Sequence, residues 1–279
     1  MNMVNLNKNL TITSIREYQN PISAGKLQIA DSPHVWPPYS AFHLAGETFP
    51  AAQDLLRHNG RHRPIIVDVG TGSGILAILA KQTISAAVCV ATDLNVEATR
   101  LAQHNWRLNN LPENELITMT ADGIDHKLLA LLLAQGKADV LIANLPQQPL
   151  VNGEDLAVLR DTNSAAWNID PSHDPDGLGI LSAVLSEAYQ VIKPGGVALV
   201  SASSKQNIKR ITDFLERLKY QGKLQRCEFV SATRFDVPKS YDPKLIEHWA
   251  AREQADGVQR LFTGPNGPQY EHYNIVIHY

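Results

Sequence analysis

Cysteine is nearly absent from this chain: two in 279 residues, Cys89 and Cys227. Their separation fits no zinc-ligand spacing and no histidine pair joins them at one, so no metal centre is expected. Both read as core thiols rather than as halves of a disulfide. Excess positive charge is missing too. With 25 Lys and Arg against 28 Asp and Glu, the net charge of -3 offers no broad electrostatic grip on nucleic acid. No stretch reaches the ~18 apolar residues of a membrane span. The first twenty residues are polar and lack the apolar core of a signal peptide. A cytoplasmic location without a membrane partner is the resulting expectation. Internal repeats and low-complexity tracts are also lacking. What remains is an ordinary globular composition, 44% hydrophobic and 19% charged. The length suits one large α/β domain, or a domain with an appendage.

Residues 1–60 differ in character from the rest of the chain. They carry Pro21, Pro33, Pro37, Pro38 and Pro50, interleaved with Trp36, Tyr39, Phe42 and Phe49. Proline at this density predicts an irregular arm ending in a short helix near Ala51 to His58. Arg61-His62-Arg63 reads as a solvated joint leading into a second unit, 61–279.

In that unit strand and helix patterns alternate. Strands are predicted at Ile65–Val69, Ala87–Thr92, Leu116–Thr120, Ala138–Ala143 and Val197–Ala202. Helices are predicted at Gly74–Gln82, Asn95 to Leu108, Lys127–Ala134, Leu178–Ile192 and Gln206–Tyr220. Lys193-Pro194-Gly195-Gly196 reads as a helix stop and turn. The proline-rich run from Asn144 to Asp176 is longer than mere connection requires. Two late β patterns, Leu224–Phe235 and Tyr270–His278, flank a polar insertion ending in Gly264-Pro265-Asn266-Gly267-Pro268. Alternating βα units imply a parallel sheet covered on both faces, and two closing strands without a full crossover imply an antiparallel edge.

The most informative stretch is Val67-Asp68-Val69-Gly70-Thr71-Gly72-Ser73-Gly74-Ile75. A β-rich run enters three alternating glycines and leaves as an apolar helix. Glycines there let the backbone take positive φ and let a ligand lie against the main chain. A dinucleotide fingerprint requires G-x-G-x-x-G, but the position of its third glycine is held by Ile75. The pattern D-x-G-x-G-x-G instead resembles motif I of the S-adenosylmethionine (SAM) dependent methyltransferases. That resemblance implies a Rossmann-like, seven-stranded, mostly parallel sheet with an antiparallel edge strand, and SAM as cofactor.

Parallel sheets bind ligands at the carboxyl ends of their strands. Asp68, Gly70, Thr71, Gly72 and Gly74 surround the end of the first strand. Asp93 and Leu94 follow the second, Asp122 and Gly123 the third, and Asn144 the fourth. A carboxylate at Asp93 can accept from both ribose hydroxyls. It could also serve as a helix cap. Asp122 is placed to accept from an adenine amino group, although Asp-Gly is also a common turn. Their order at successive strand ends matches the methyltransferase layout over roughly residues 64 to 203.

Asn144-Leu145-Pro146-Gln147 resembles the N-[PIL]-P-[YF] motif of enzymes that methylate planar nitrogens. The lone pair of such a nitrogen is delocalised. Oxygens of Asn144 and of the Leu145 backbone can accept its hydrogens and aim it at the methyl group, with Pro146 stiffening the turn. Asp174-Pro175-Asp176-Gly177-Leu178 and Lys193-Pro194-Gly195-Gly196 add a likeness to the release-factor glutamine methyltransferase family. So does the proline-containing segment Val35-Trp36-Pro37-Pro38-Tyr39. Leu145 and Gln147 depart from that family, which has a proline and an aromatic at those places. The aromatic stacks on the flat acceptor, and Trp36, Tyr39, Phe42 or Trp167 would have to replace it.

The expected activity is therefore methyl transfer from SAM to a planar amide or amine nitrogen. Asn144, Leu145 and Pro146 form the catalytic turn, and Trp36, Tyr39 and Gln147 contact the substrate. The acceptor is a protein glutamine or a small molecule. The second of these, with N- or O-methylation, is the main alternative; a SAM-binding protein without chemistry is another. If the acceptor must lose a proton, His34 and His43 are the histidines placed to take it.

Overall fold

The structure, a computed structural model, describes residues 10–33, 35, 40–85, 87–145, 177–237 and 243–279. Its centre is one twisted sheet. Strands β3 (Ile65–Val69), β4 (Val88–Asp93), β5 (Leu116–Thr120), β6 (Ala138–Ala143) and β7 (Ile192–Ser203) run parallel to one another. β8 (Arg226–Asp236) and β10 (Gly267–His278) complete the order β5-β4-β3-β6-β7-β10-β8, and the short β9 (Phe262–Gly264) pairs with β10. The reversed strand is β10, antiparallel to both β7 and β8. This is the α/β, Rossmann-like, mostly parallel sheet the residues imply.

Period-two alternation divides the strand side chains between two cores. Ile66, Cys89, Val140, Ile142, Leu199 and Val276 face one side, which is covered by α1 (Ala41–His58) and α2 (Ile75–Thr83). Val67, Val90, Leu141, Val200, Ile275 and Ile277 face the other, under α4 (His126–Gln135), α5 (Gly179–Val191) and α6 (Ile208–Tyr220). Burial on both faces explains why the central strands read as continuous apolar runs. Helix α3 (Val96–Leu108) links β4 to β5, capped by the Asn95 side chain accepting from the Glu97 amide. The strand order turns back between β3 and β6. The crevice beyond their carboxyl ends is where such folds take ligands. Both cysteines are free; Cys89 is buried and Cys227 half-buried.

The N-terminal arm differs from the expectation in two respects. First, it contains an antiparallel hairpin, β1 (Ser14–Gln19) and β2 (Lys26–Asp31). Leu27 and Ile29 point inward while Gln28 points out, an alternation that the surrounding prolines obscure. Secondly, its helix starts at Ala41, not near Ala51. Pro50 lies inside that helix with its ring on the exposed side, and it costs the Gly46 carbonyl its helical donor. Burial of Leu44, Phe49, Ala52 and Leu56 outweighs the local cost of about 3 kcal/mol.

Three further corrections concern the later chain. Lys193-Pro194-Gly195-Gly196 belongs to β7 rather than stopping a helix. The Gly195 amide bonds the Tyr279 carbonyl, and the pairing with β6 shifts register between Ala138 and Val140. Arg61 is not simply solvated: it pairs at 3.1 Å with the buried Asp139, which also accepts from Lys193 and from the Ile65 amide. The insertion before β10 holds α7 (Pro243–Asp256), whose Trp249 is fully buried. Among the described residues no helix is long and apolar enough to cross a membrane.

Candidate functional site

The glycine turn follows β3 directly. Gly70, Gly72 and Gly74 all hold positive φ, at 71°, 54° and 81°. Their needs differ. A Cβ on Gly70 would come within 2.6 Å of Leu145, and one on Gly74 within 2.7 Å of Ala102 on α3. At Gly72 a Cβ would meet only Val35, at 3.8 Å. The first and third glycines thus let the protein pack on itself, and the second leaves the turn open to a ligand.

Alanine at the two positions should separate these roles. Gly74→Ala combines positive-φ strain of roughly 1–2 kcal/mol with overpacking of about 1–3 kcal/mol, so its main effect is on stability. Gly72→Ala carries the strain alone and chiefly weakens ligand binding. Denaturant titration and calorimetry on both variants check this, and the opposite ranking would refute it.

Asp68 and Thr71 support the turn from beneath. Asp68 is 1% exposed and accepts from the Thr71 hydroxyl at 2.6 Å. The Thr71 amide bonds the Thr92 carbonyl of β4 at 2.8 Å. Burial pushes the Asp68 carboxyl up to about 7, against the Thr71 hydroxyl and the Ala77 amide.

Asp93, at the end of β4, is half-buried beside the turn. One carboxylate oxygen accepts from the Gly72 amide at 2.9 Å and the other from the Asn95 amide at 2.9 Å. Asn95, not Asp93, caps α3. Each oxygen keeps a lone pair for a further donor. Burial raises the Asp93 pKa, and the two amides oppose the shift. Leu94 beside it is 55% exposed, an apolar surface on the rim of the crevice. The Ala121 amide bonds the Asp93 carbonyl, bringing Asp122 and Gly123 to the same edge. Asp122 is exposed there, and Gly123 turns the chain at a φ of 57°. The crevice therefore collects a glycine turn, a fixed carboxylate, an apolar rim and a second acid. That set suits a ligand with a diol, a flat heterocycle and an amino-acid end, and SAM fits it.

Asn144 follows β6. Its Nδ2 donates to the Ser40 hydroxyl at 2.9 Å, and its Oδ1 accepts from the Ser201 hydroxyl of β7. Ser40 immediately precedes α1, so the N-terminal arm fastens directly onto the Asn144 turn. Leu145 is buried against Gly70. Pro146, Gln147, Trp36, Tyr39, His34 and Trp167 lie outside the described residues. No local motif marks Ser40 and Ser201 in the sequence; tertiary contact alone brings them to Asn144. Among the described residues no group of three or more His, Cys, Asp or Glu side chains could hold a metal ion.

A family model described as ribosomal protein L11 methyltransferase (PrmA) matches residues 51–194. A release factor glutamine methyltransferase of Deinococcus radiodurans is 30% identical over 146 residues, covering 50% of this chain and 45% of that protein. A ribosomal protein L11 methyltransferase of Lacticaseibacillus paracasei is 34% identical over 202 residues, 64% of this chain and 59% of that one. The chain spans about half the length of these curated relatives. Among solved structures, a T. thermophilus 16S rRNA N2 G1207 methyltransferase in complex with AdoMet and guanosine superposes with a TM-score of 0.52 at 12% identity. It covers 96% of this chain and 51% of that one. At that identity the likeness shows the fold alone.

Proposed function

The chain belongs to the family described as ribosomal protein L11 methyltransferase (PrmA), and from that premise we propose that it methylates a planar amide or amine nitrogen of a protein, with SAM as donor. The observation that carries the reading is the bond between the Gly72 amide and the Asp93 carboxylate. It locks the turn for the amino-acid end of SAM to the acid for its ribose, so both halves of one ligand are positioned by one contact.

SAM supplies an electrophilic methyl on a sulfonium. The chain holds the nitrogen in line with it. Asn144 Oδ1 and the Leu145 carbonyl are the oxygens that accept the nitrogen's hydrogens, the acceptor displacing the 3.2 Å bond from the Ser40 hydroxyl to Oδ1, while Ser40 and Ser201 fix the amide plane. The positive charge passes to the attacking nitrogen as its bond to the methyl carbon forms and the carbon–sulfur bond breaks, and it leaves as a proton to solvent. Orientation and exclusion of bulk water during transfer therefore supply most of the rate. Two relatives, a release factor glutamine methyltransferase and a ribosomal protein L11 methyltransferase, support a protein acceptor.

Incubation with methyl-labelled SAM, with protein, RNA and metabolite pools then separated, tests the reading. Label is expected in protein. Label confined to metabolites would move the acceptor to a small molecule, and label in no pool would leave a SAM-binding protein without chemistry.

A further inference from the structure

The sheet continues beyond the end of β7. There Gln269 of β10 pairs with Asp236 of β8 on one edge and with Phe262 of β9 on the other. β9 therefore takes over the column of β7 past that strand's carboxyl end, one strand spacing across from the line of β6. Backbone groups on its outer edge are unpaired. Thr263 stands opposite Pro268, whose carbonyl accepts from the Val237 amide on the β8 side at 2.9 Å. Thr263 and Pro268 thus form a non-hydrogen-bonded pair, and the Thr263 N–H and C=O point away from β10. Thr263 is exposed, and among the described residues nothing bonds these two groups. Two positions earlier a side chain already serves the edge: the Leu261 amide donates to Glu253 of α7 at 3.2 Å.

Glu253 lines a cleft of about 490 Å³ between α7 and the β9–β10 hairpin. Ala250, Leu261, Phe262 and Pro268 give the cleft mostly apolar walls, and Thr263 lines it too. Within those walls Glu253 is a half-buried carboxylate with no cation beside it among the described residues. The Arg260 and Leu261 amides fix one of its oxygens, Oε2, at 3.0 and 3.2 Å. Neighbouring cations are committed elsewhere. The Arg260 guanidinium grips Asp256, and Arg234 pairs with Glu271 while lying over the Phe262 ring. A carboxylate keeps lone pairs for further donors, and charged donors make the stronger bonds. The cleft is therefore complementary to an apolar stem ending in a cation.

We propose that this edge and cleft dock the protein acceptor: an extended segment adds to β9 through Thr263 and sets a Lys or Arg side chain against Glu253. Sheet register fixes the spacing. Ala143, just before Asn144, aligns through Val200 with Ile275 of β10, whereas Thr263 aligns with Pro268. Asn144 and Thr263 thus lie about six residues, or about 20 Å, apart along the sheet. Glu253 meets the edge at Leu261, nearer to Asn144. The basic residue is therefore expected about four to six positions from the methylated one. A single free amino acid does not span that interval, so the arrangement selects a peptide. The assignment rests on the reading that Asn144 holds the acceptor nitrogen.

The test uses the full chain and dye-labelled peptides of serine and threonine that carry one glutamine and one lysine, the lysine moved stepwise away from the glutamine. Fluorescence anisotropy reads binding, and labelled SAM reads transfer. Tightest binding is expected with the lysine about four to six places from the glutamine. Replacing that lysine by norleucine should weaken binding to the wild type by about tenfold and binding to Glu253→Gln not at all. SAM affinity, unchanged in Glu253→Gln, checks its folding. Methylating the peptide's backbone nitrogen about six places from the glutamine should also weaken binding, because that amide donates to the Thr263 carbonyl. Affinity that ignores the lysine's position, or a norleucine effect that persists in Glu253→Gln, overturns the assignment. Position-dependent binding without methyl transfer to any pool would retain the docking site and remove the methyltransferase reading. Transfer to the glutamine regardless of where the lysine stands would do the reverse.

Discussion

Asp93→Ala should lower the affinity for SAM by roughly two to four orders of magnitude. Two hydrogen bonds from ribose hydroxyls to a carboxylate are together worth about 3–6 kcal/mol. The substitution also strips the Gly72 amide of its acceptor, loosening the turn proposed to carry the other end of the cofactor. Calorimetric titration reads the loss directly, and unchanged affinity would remove Asp93 from the site. Acidity should act in the same direction. Burial holds the Asp93 pKa above the ordinary carboxylate range. Binding is therefore complete above that raised pKa and is lost as pH falls through it, earlier than an exposed aspartate would allow.

The second large effect is expected in turnover. Asn144→Ala leaves the crevice at β3 to β5 intact, so cofactor affinity should hold. Loss of a preorganised acceptor for the nitrogen's hydrogens should cost roughly 10²–10³ in kcat. Ser40→Ala and Ser201→Ala should fall between the wild type and that variant, because each releases one side of the Asn144 amide. Single-turnover kinetics with saturating SAM separates the cases. Normal turnover in Asn144→Ala would take the residue out of the mechanism.

The central strands and the glycine turn are readable because their signals are local. Leu116–Thr120 and Ala138–Ala143 are apolar runs bounded by polar residues, and the structure gives β5 and β6 those same limits. The Asn95 cap is likewise visible in order and spacing. The arm is not, because Pro50 argues against a helix whose stability comes from what Phe49 and Leu56 bury. Helix α7 is hidden in a polar segment held by Trp249 and by Arg260 bonded to Asp256. At the site, the acids at strand ends are legible. The seryl hydroxyls gripping Asn144 are not, since their partners lie 57 and 104 positions away along the chain.

One buried side chain has consequences for how the molecule breathes. Asn105 of α3 accepts from the Ala30 amide at 2.7 Å and donates to the carbonyls of Ala30 and of Ser73, at 3.2 and 2.9 Å. A single carboxamide thus clips the N-terminal hairpin and the glycine turn to the same helix. Opening the hairpin takes both Ala30 bonds from this carboxamide and leaves Ser73 as its remaining tie, so the glycine turn proposed to hold the cofactor and the N-terminal hairpin are expected to tighten or slacken together.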